Sequence, residues 1–115
     1  MQHMHNATRA YQASSGTRNF RLQEAEVFQR ATGALRAGQA GGILPQVRAL
    51  ADNRQLWLTV IGLVQDPANA LPESLRASLV SVGMSVQREM DQASPDFGFL
   101  IAVNENIAAG LVGTS

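Results

Sequence analysis

The fold is decided by residues 45–65, which read PQVRALADNRQLWLTVIGLVQ. Apolar residues return along this stretch every three or four positions, which is the spacing of one face of an α-helix. The second half, LWLTVIGLV, is apolar on nearly every side, and a helix tolerates that composition only where several neighbours cover it. Pro45 fits the first turn, because the N–H that proline lacks would be unpaired there. We therefore predict a central helix from Pro45 to about Gln65.

Two helices are predicted before the central one. A short helix begins at Asn6, which can cap it, and runs to about residue 14. A second covers residues 19–37 with an apolar face, and Gly38 is predicted to supply a left-handed exit. The glycine-rich stretch that follows, GQAGG, predicts a flexible joint within residues 38–44 and is the best hinge candidate.

Two more helices are predicted after the central one. Pro67 ends the central helix, since the residue before a proline is pushed out of helical geometry. A fourth helix runs from Pro72 to about Asp91 with a regular apolar stripe. The last starts at Ser94-Pro95-Asp96, with the serine hydroxyl as the cap and the proline in the first turn.

The predicted fold class is all-α, because no alternating stretch is long enough to indicate a strand. We expect one small bundle of about five helices that forms a single domain over residues 1–115, a length typical of one domain. Residues 1–16 are expected to form an N-terminal arm or a short, mobile helix.

Composition indicates a surface that is covered by a partner. Hydrophobic residues make up 45% of the chain and charged residues only 16%, which is little charge for a solvated exterior. Partner binding or self-association usually explains such a surface. The chain has no cysteine, no secretory apolar segment and no run of ~20 apolar residues. We therefore expect a cytoplasmic protein that is not inserted in a membrane.

Charge is unevenly distributed along the chain. Residues 1–36 hold five arginines against two glutamates, and the remainder holds four arginines against seven acidic residues. An acidic partner or an RNA backbone could use the basic front. Five arginines spread over 36 residues form only a weak electrostatic binding surface for nucleic acid, however, so direct binding of nucleic acid is disfavoured.

Residues suited to catalysis or metal binding are scarce. His3 and His5 are the only histidines, and no further donor lies near them in sequence to complete a metal site. Glu24 and Glu26 are two apart and so do not face each other on a helix. We predict no enzymatic activity, no metal and no cofactor.

Two residue types leave alternatives open. Trp57 is either part of the core, which its place in the most apolar helix favours, or an anchor for a partner, since large aromatic side chains concentrate interface energy. Gly62 and Gly83 lie inside predicted helices, where each costs roughly 1 kcal/mol relative to alanine. A close approach of two helices, within the fold or to a partner, would explain them.

Several short motifs occur together in this chain. They are Asn53-Arg54 with Leu56-Trp57, Asn69-Ala70-Leu71-Pro72 with Leu75-Arg76, Leu100-Ile101 with Asn104, Gly110-Leu111, Tyr11, and Glu24-Ala25-Glu26. In this order and spacing they resemble the flagellar biosynthesis regulator FlaF of alphaproteobacteria. The resemblance covers about the whole chain and is strongest from residue 50 onward.

This resemblance implies a role in flagellin production and export, and hence in bacterial motility. Such proteins act after transcription, opposite a second small regulator, FlbT, and as secretion chaperones for flagellin. We therefore expect flagellin as the partner, possible contact with FlbT, and a groove between the third, fourth and fifth helices that shields an amphipathic helix of flagellin. The residues expected to line it are Trp57, Leu58, Ile61, Leu100, Ile101, Asn104 and Leu111.

Two other functions remain open. One is post-transcriptional regulation by contact with flagellin mRNA, directly through the arginine-bearing front or through FlbT. The other is a self-associating bundle whose low charge is used in a homo-oligomer.

Overall fold

The computed structural model describes residues 25–113, with side chains up to residue 110, and four helices lie in that range. Helix α1 is described over residues 25–40, and α2 spans Ile43–Gln65. Helix α3 spans Glu73–Met90 and α4 spans Phe97–Gly113. No strand occurs between residues 25 and 113. The all-α prediction is confirmed for this part of the chain, with four helices where about five were expected. The predicted helix at residues 6–14 and the start of the one at 19–37 lie outside the described residues.

Helix α2 lies at the centre because its apolar face contacts both α1 and α3. The Trp57 ring on α2 meets the Phe28 ring on α1 edge to face, with centroids 5.2 Å apart and planes at 79°. An edge-to-face aromatic pair contributes about 0.5–1.5 kcal/mol beyond its buried area. Near the other end of α1, Gly38 lies against the backbone of Pro45 and Gln46. The early part of α1 thus contacts the later part of α2, and the end of α1 contacts the start of α2. The two helices therefore form an antiparallel hairpin.

The predicted left-handed exit at Gly38 is wrong. No glycine between residues 25 and 113 has a positive φ, and α1 continues through residue 40. A Cβ on Gly38 would lie 3.1 Å from the Pro45 carbonyl oxygen and 3.2 Å from the Gln46 Cα. Glycine is thus needed for close packing against α2. Only Gly41 and Gly42 remain between the two helices, and the hinge itself stays a prediction.

Helices α2 and α3 are also antiparallel and lie unusually close at one point. A Cβ on Gly83 would lie 2.7 Å from Ile61 Cδ1 and 3.0 Å from Trp57 Cε3. The internal alternative for Gly83, a close approach of two helices within the fold, is therefore confirmed. A Cβ on Gly62 would meet no heavy atom within 4 Å, so close packing within the described fold does not explain that glycine.

The start of α4 is set by Asp96. Its carboxylate accepts a hydrogen bond from the Phe99 N–H at 3.0 Å, the geometry of a capping residue three positions before the donor. The prediction that Ser94 caps this helix is wrong, because the chain becomes helical only at Phe97. The Asp96 N–H in turn donates to Glu89 Oε2 at 3.0 Å, which ties the start of α4 to the end of α3.

Candidate partner-binding surface

Most of the residues expected to line a groove lie inside the fold. Trp57, Leu100 and Asn104 have no exposed side-chain surface, and Ile101 is 8% exposed. A partner can reach these four only if the bundle opens, because other helices already cover them. Their contact with a partner stays a prediction, and the structure gives each a role in the core.

A chain of hydrogen bonds explains how the polar members of this set are buried. The Trp57 indole N–H donates to Asn104 Oδ1 at 3.0 Å, and the Asn104 amide donates to Asn53 Oδ1 at 2.7 Å. The Asn53 amide donates to the Met90 sulfur at 3.4 Å. Buried polar groups are costly unless they are hydrogen-bonded, and here α2, α3 and α4 supply one another's partners.

The other three expected groove residues are placed differently. Leu58 is 53% exposed and is available to a partner. Ile61 is half-buried and packs over Gly83. The side chain of Leu111 lies outside the described residues. Leu58 on α2 and Met84 on α3 lie at about the same position along the α2–α3 pair, and Met84 is 56% exposed. This position follows from the contacts on either side of them, Arg54 with Gln87 and Ile61 with Gly83.

Among residues 25–110, the most exposed apolar cluster is at the α1–α2 corner, which the sequence analysis did not single out. Ile43 is 78% exposed, Leu44 is 70% exposed and Val47 is 56% exposed. All three belong to the first turns of α2, so their positions are fixed by a helix. A contiguous apolar patch on a protein surface is a candidate interaction site. We call Ile43, Leu44 and Val47 the corner cluster.

An open groove of 540 Å³ lies beside the corner cluster. Its floor is made of small side chains, Ala34 and Ala37 from α1 and Ala49 from α2, and the rest of its lining is Leu44, Pro45, Arg48 and Asp52. Alanines let the backbone of another helix come close, toward the short end of the 8–10 Å range of helix-axis separations. We call this feature the corner groove.

A signal for this surface was present in the sequence. Ile43 and Leu44 follow two glycines directly and precede Pro45, so they fall in a joint rather than in a helical stripe. The apolar spacing that predicts α2 begins at Val47 and does not include them. These are two large apolar residues at the start of a helix, and no apolar segment is adjacent to them in sequence. That combination indicates that they are exposed.

Ion pairs link helices elsewhere on the molecule. Arg36 on α1 lies 2.6 Å from a Glu105 carboxylate oxygen on α4, and Arg54 on α2 lies 2.8 Å from Asp91 at the end of α3. Arg54 also donates to Gln87 Oε1 at 3.0 Å. Each pair joins helices at the surface, where such pairs contribute about 0–1 kcal/mol. Among the described residues, no three His, Cys, Asp or Glu side chains gather as a metal site would require.

Comparison with known protein families identifies the family of this chain. A family model of the flagellar protein FlaF matches residues 7–111. The chain belongs to the FlaF family. No curated protein and no solved structure matches it. The resemblance drawn from short motifs is thereby confirmed, and the protein is a flagellar one.

The motifs that carry the FlaF resemblance have structural roles in this chain. Asn53, Trp57 and Asn104 form the buried hydrogen-bond chain. Asn69 shapes the connection between α2 and α3, because its amide donates to the Leu63 carbonyl at 3.0 Å and its side-chain oxygen accepts from the Leu71 N–H at 2.9 Å. The family motifs described here therefore maintain the fold, and the exposed corner cluster lies outside them.

None of the helices in the described part of this FlaF chain is long and apolar enough to cross a bilayer.

Proposed function

We propose that this FlaF-family chain is a flagellin-binding regulator and export chaperone that covers an amphipathic helical segment of flagellin. The observation that carries the proposal is the exposure of Ile43, Leu44 and Val47 beside the corner groove. Membership of a flagellar family makes flagellin the partner of first choice. An apolar stripe on a flagellin helix needs cover before assembly, and the corner groove offers a matching apolar surface.

The lining of the corner groove favours a helix over other kinds of peptide. Addition of a strand needs an open sheet edge, and residues 25–113 contain no strand. Polyproline segments bind to aromatic grooves, whereas the groove is lined by alanine, leucine and proline beside two charged residues. A phosphorylated motif needs an arginine cluster, and Arg48 is the one arginine in the lining. Helix-in-groove binding is the mode that remains.

The corner cluster is too small to account for tight binding by itself. Covering three partly exposed aliphatic side chains contributes on the order of 4 kcal/mol. A micromolar complex requires about 8 kcal/mol net, after the loss of free motion on association has been offset. We therefore expect the bound helix to extend along the corner groove over several turns, toward Ala34 on α1 and Asp52 on α2.

Calorimetric titration of the purified chain with N-terminal and C-terminal fragments of flagellin from the same bacterium tests this proposal. Burial of apolar surface predicts a negative heat-capacity change with one of the fragments. The same mixture should elute earlier than either component on size exclusion. Absence of heat at several temperatures together with unchanged elution would remove the proposal.

Direct action on flagellin mRNA is the alternative function, and the described residues give it little support. Of the five arginines in the basic front, Arg30 and Arg36 are described, and Arg36 is paired with Glu105. Binding to RNA would weaken steeply with salt, because phosphate contacts release counterions. An association with flagellin that depends far less steeply on salt than RNA binding does, without retardation of the transcript leader, would favour the chaperone.

A further inference from the structure

Two opposite charges stand on the wall of the corner groove. Arg48 and Asp52 both line it, both are exposed, and both belong to α2. Residues four apart on a helix lie on the same side of it, one turn from each other. The corner groove therefore has a positive point nearer the α1–α2 corner and a negative point one turn further along α2.

These charges are not used for pairing within the described fold. Between residues 25 and 110, the ion pairs are Arg36 with Glu105 and Arg54 with Asp91. Arg48 and Asp52 do not pair with each other. Their order also gives α2 little help, because a helix is better stabilised when the acidic residue precedes the basic one by four positions. An intrahelical role does not explain them.

We propose that Arg48 and Asp52 read the charge order of the helix bound in the corner groove. This inference rests on the proposed function and specifies its partner. The bound helix is amphipathic, with an acidic residue against Arg48 and a basic residue about one turn away against Asp52. A helix with the reverse order would meet like charges at both points. The pair thus favours one direction of the partner helix over the other.

Charged groups are needed to specify the direction of the partner helix, because an apolar groove alone binds a helix almost equally well in either direction. Alanines and a leucine contact an apolar stripe equally well in either direction, since dispersion contacts have no polarity. Charges at the rim of an interface supply that distinction, and they act mainly through association rate and specificity. The proposed helix would therefore bind in one direction at low salt.

The test exchanges the two charges without altering net charge. Arg48→Asp/Asp52→Arg is compared with the unaltered chain in calorimetric titration against full-length flagellin monomer, first at low salt and then at 1 M salt. We expect the exchange to weaken binding about tenfold at low salt, since two attractive contacts become repulsive. At 1 M salt the difference should fall to about twofold or less, because the screening length is then about 3 Å.

Glu73→Arg/Arg88→Glu is the control, because this exchange also reverses two exposed, opposite charges at constant net charge but lies on α3, outside the lining of the corner groove. It should bind flagellin like the unaltered chain. Circular dichroism melts establish that each variant is folded. Should the exchange variant melt early, Arg48→Gln/Asp52→Asn removes both charges without repulsion and should weaken binding about threefold.

The outcomes separate this inference from the proposed function. Failure of the unaltered chain to bind flagellin removes the proposed function, and the charge-reading role with it. Binding by the unaltered chain with equal affinity for the Arg48/Asp52 exchange overturns the charge-reading role alone. Equal losses in the exchange and in the α3 control also overturn it, since the effect would then come from the overall field.

Discussion

The indole N–H of Trp57 on α2 donates a 3.0 Å hydrogen bond to the side-chain oxygen of Asn104 on α4. Both side chains have no exposed surface. The hydrogen bond therefore joins two helices in a place that water does not reach. It also explains how a helix as apolar as α4 carries an asparagine on its inward face.

Replacement of Asn104 by alanine should destabilise the fold strongly. The change leaves the Trp57 N–H and the Asn53 side-chain oxygen buried without these partners, and each such group costs about 1–3 kcal/mol. We expect a loss of about 2–4 kcal/mol in the free energy of unfolding, measured by urea titration. Asn106→Ala, at an exposed position of the same helix, should change it by less than about 0.5 kcal/mol. Similar losses in the two variants would contradict the buried network.

Alanine at Gly83 should destabilise the protein although alanine is the better helix former. The added methyl group would meet Ile61 and the buried ring of Trp57, which cannot move away. Overpacking of this kind costs about 1–3 kcal/mol, more than the ~1 kcal/mol gained from helix propensity. Gly62→Ala has open space and should instead stabilise by about 0.5–1 kcal/mol. Thermal melts of the two variants should shift in opposite directions.

Glutamate at Val47 should weaken flagellin binding, since it places a charge in the corner cluster. A loss of about tenfold in affinity is expected from the desolvation of that charge together with the lost apolar contact. Met84→Glu is the matched control, because Met84 is also 56% exposed but lies on α3. Calorimetry on both variants checks the prediction. A larger loss for Met84→Glu would move the binding surface to the α2–α3 face that includes Leu58.

Trp57 emission should report whether the bundle opens when the partner binds. Trp57 is the single tryptophan of the chain and is fully buried. Binding at the corner groove leaves its surroundings unchanged, so the emission maximum should stay constant during titration with a tryptophan-free flagellin fragment. A shift of the maximum on binding would instead support the groove expected from sequence, in which Trp57 contacts the partner.

Lysine at Glu105 should destabilise the contact between α1 and α4 only slightly. The change replaces an attractive pair with Arg36 by a repulsive one, and both side chains are about half exposed. Exposed pairs contribute about 0–1 kcal/mol, and we expect a loss within that range. Urea titrations at low and high salt check the prediction, since screening should remove the difference. A loss that persists at high salt would indicate that Glu105 acts through packing.

The helices were predictable because their signals are local. The apolar spacing of residues 45–65 and the proline at position 67 placed α2 to within two residues of its observed bounds. The end of α1 was not predictable in the same way. Gly38 is a common helix terminator, and here it serves the approach of α2 instead, which depends on a neighbour that the local sequence does not reveal.

The candidate site was harder to predict for a related reason. Asn53 and Asn104 are 51 residues apart, and nothing near either one shows that the two amides meet in the core. Asn104 was therefore expected at a partner surface. Ile43 and Leu44 presented the opposite difficulty, because apolar residues are normally assigned to the interior. Only the packing of α1 against α2 shows that nothing in the described fold covers them.

The amide pair of Asn53 and Asn104 also determines where α4 can sit along its neighbours. Apart from Asn104, α4 faces inward with apolar side chains, which by themselves would fix its position along its neighbours only weakly. A shift by one turn would bring Leu100 or Ala108 opposite Asn53 and leave the Asn104 amide and the Asn53 side-chain oxygen without these partners in an apolar interior. This one polar contact therefore determines the position of an otherwise apolar helix along its neighbours.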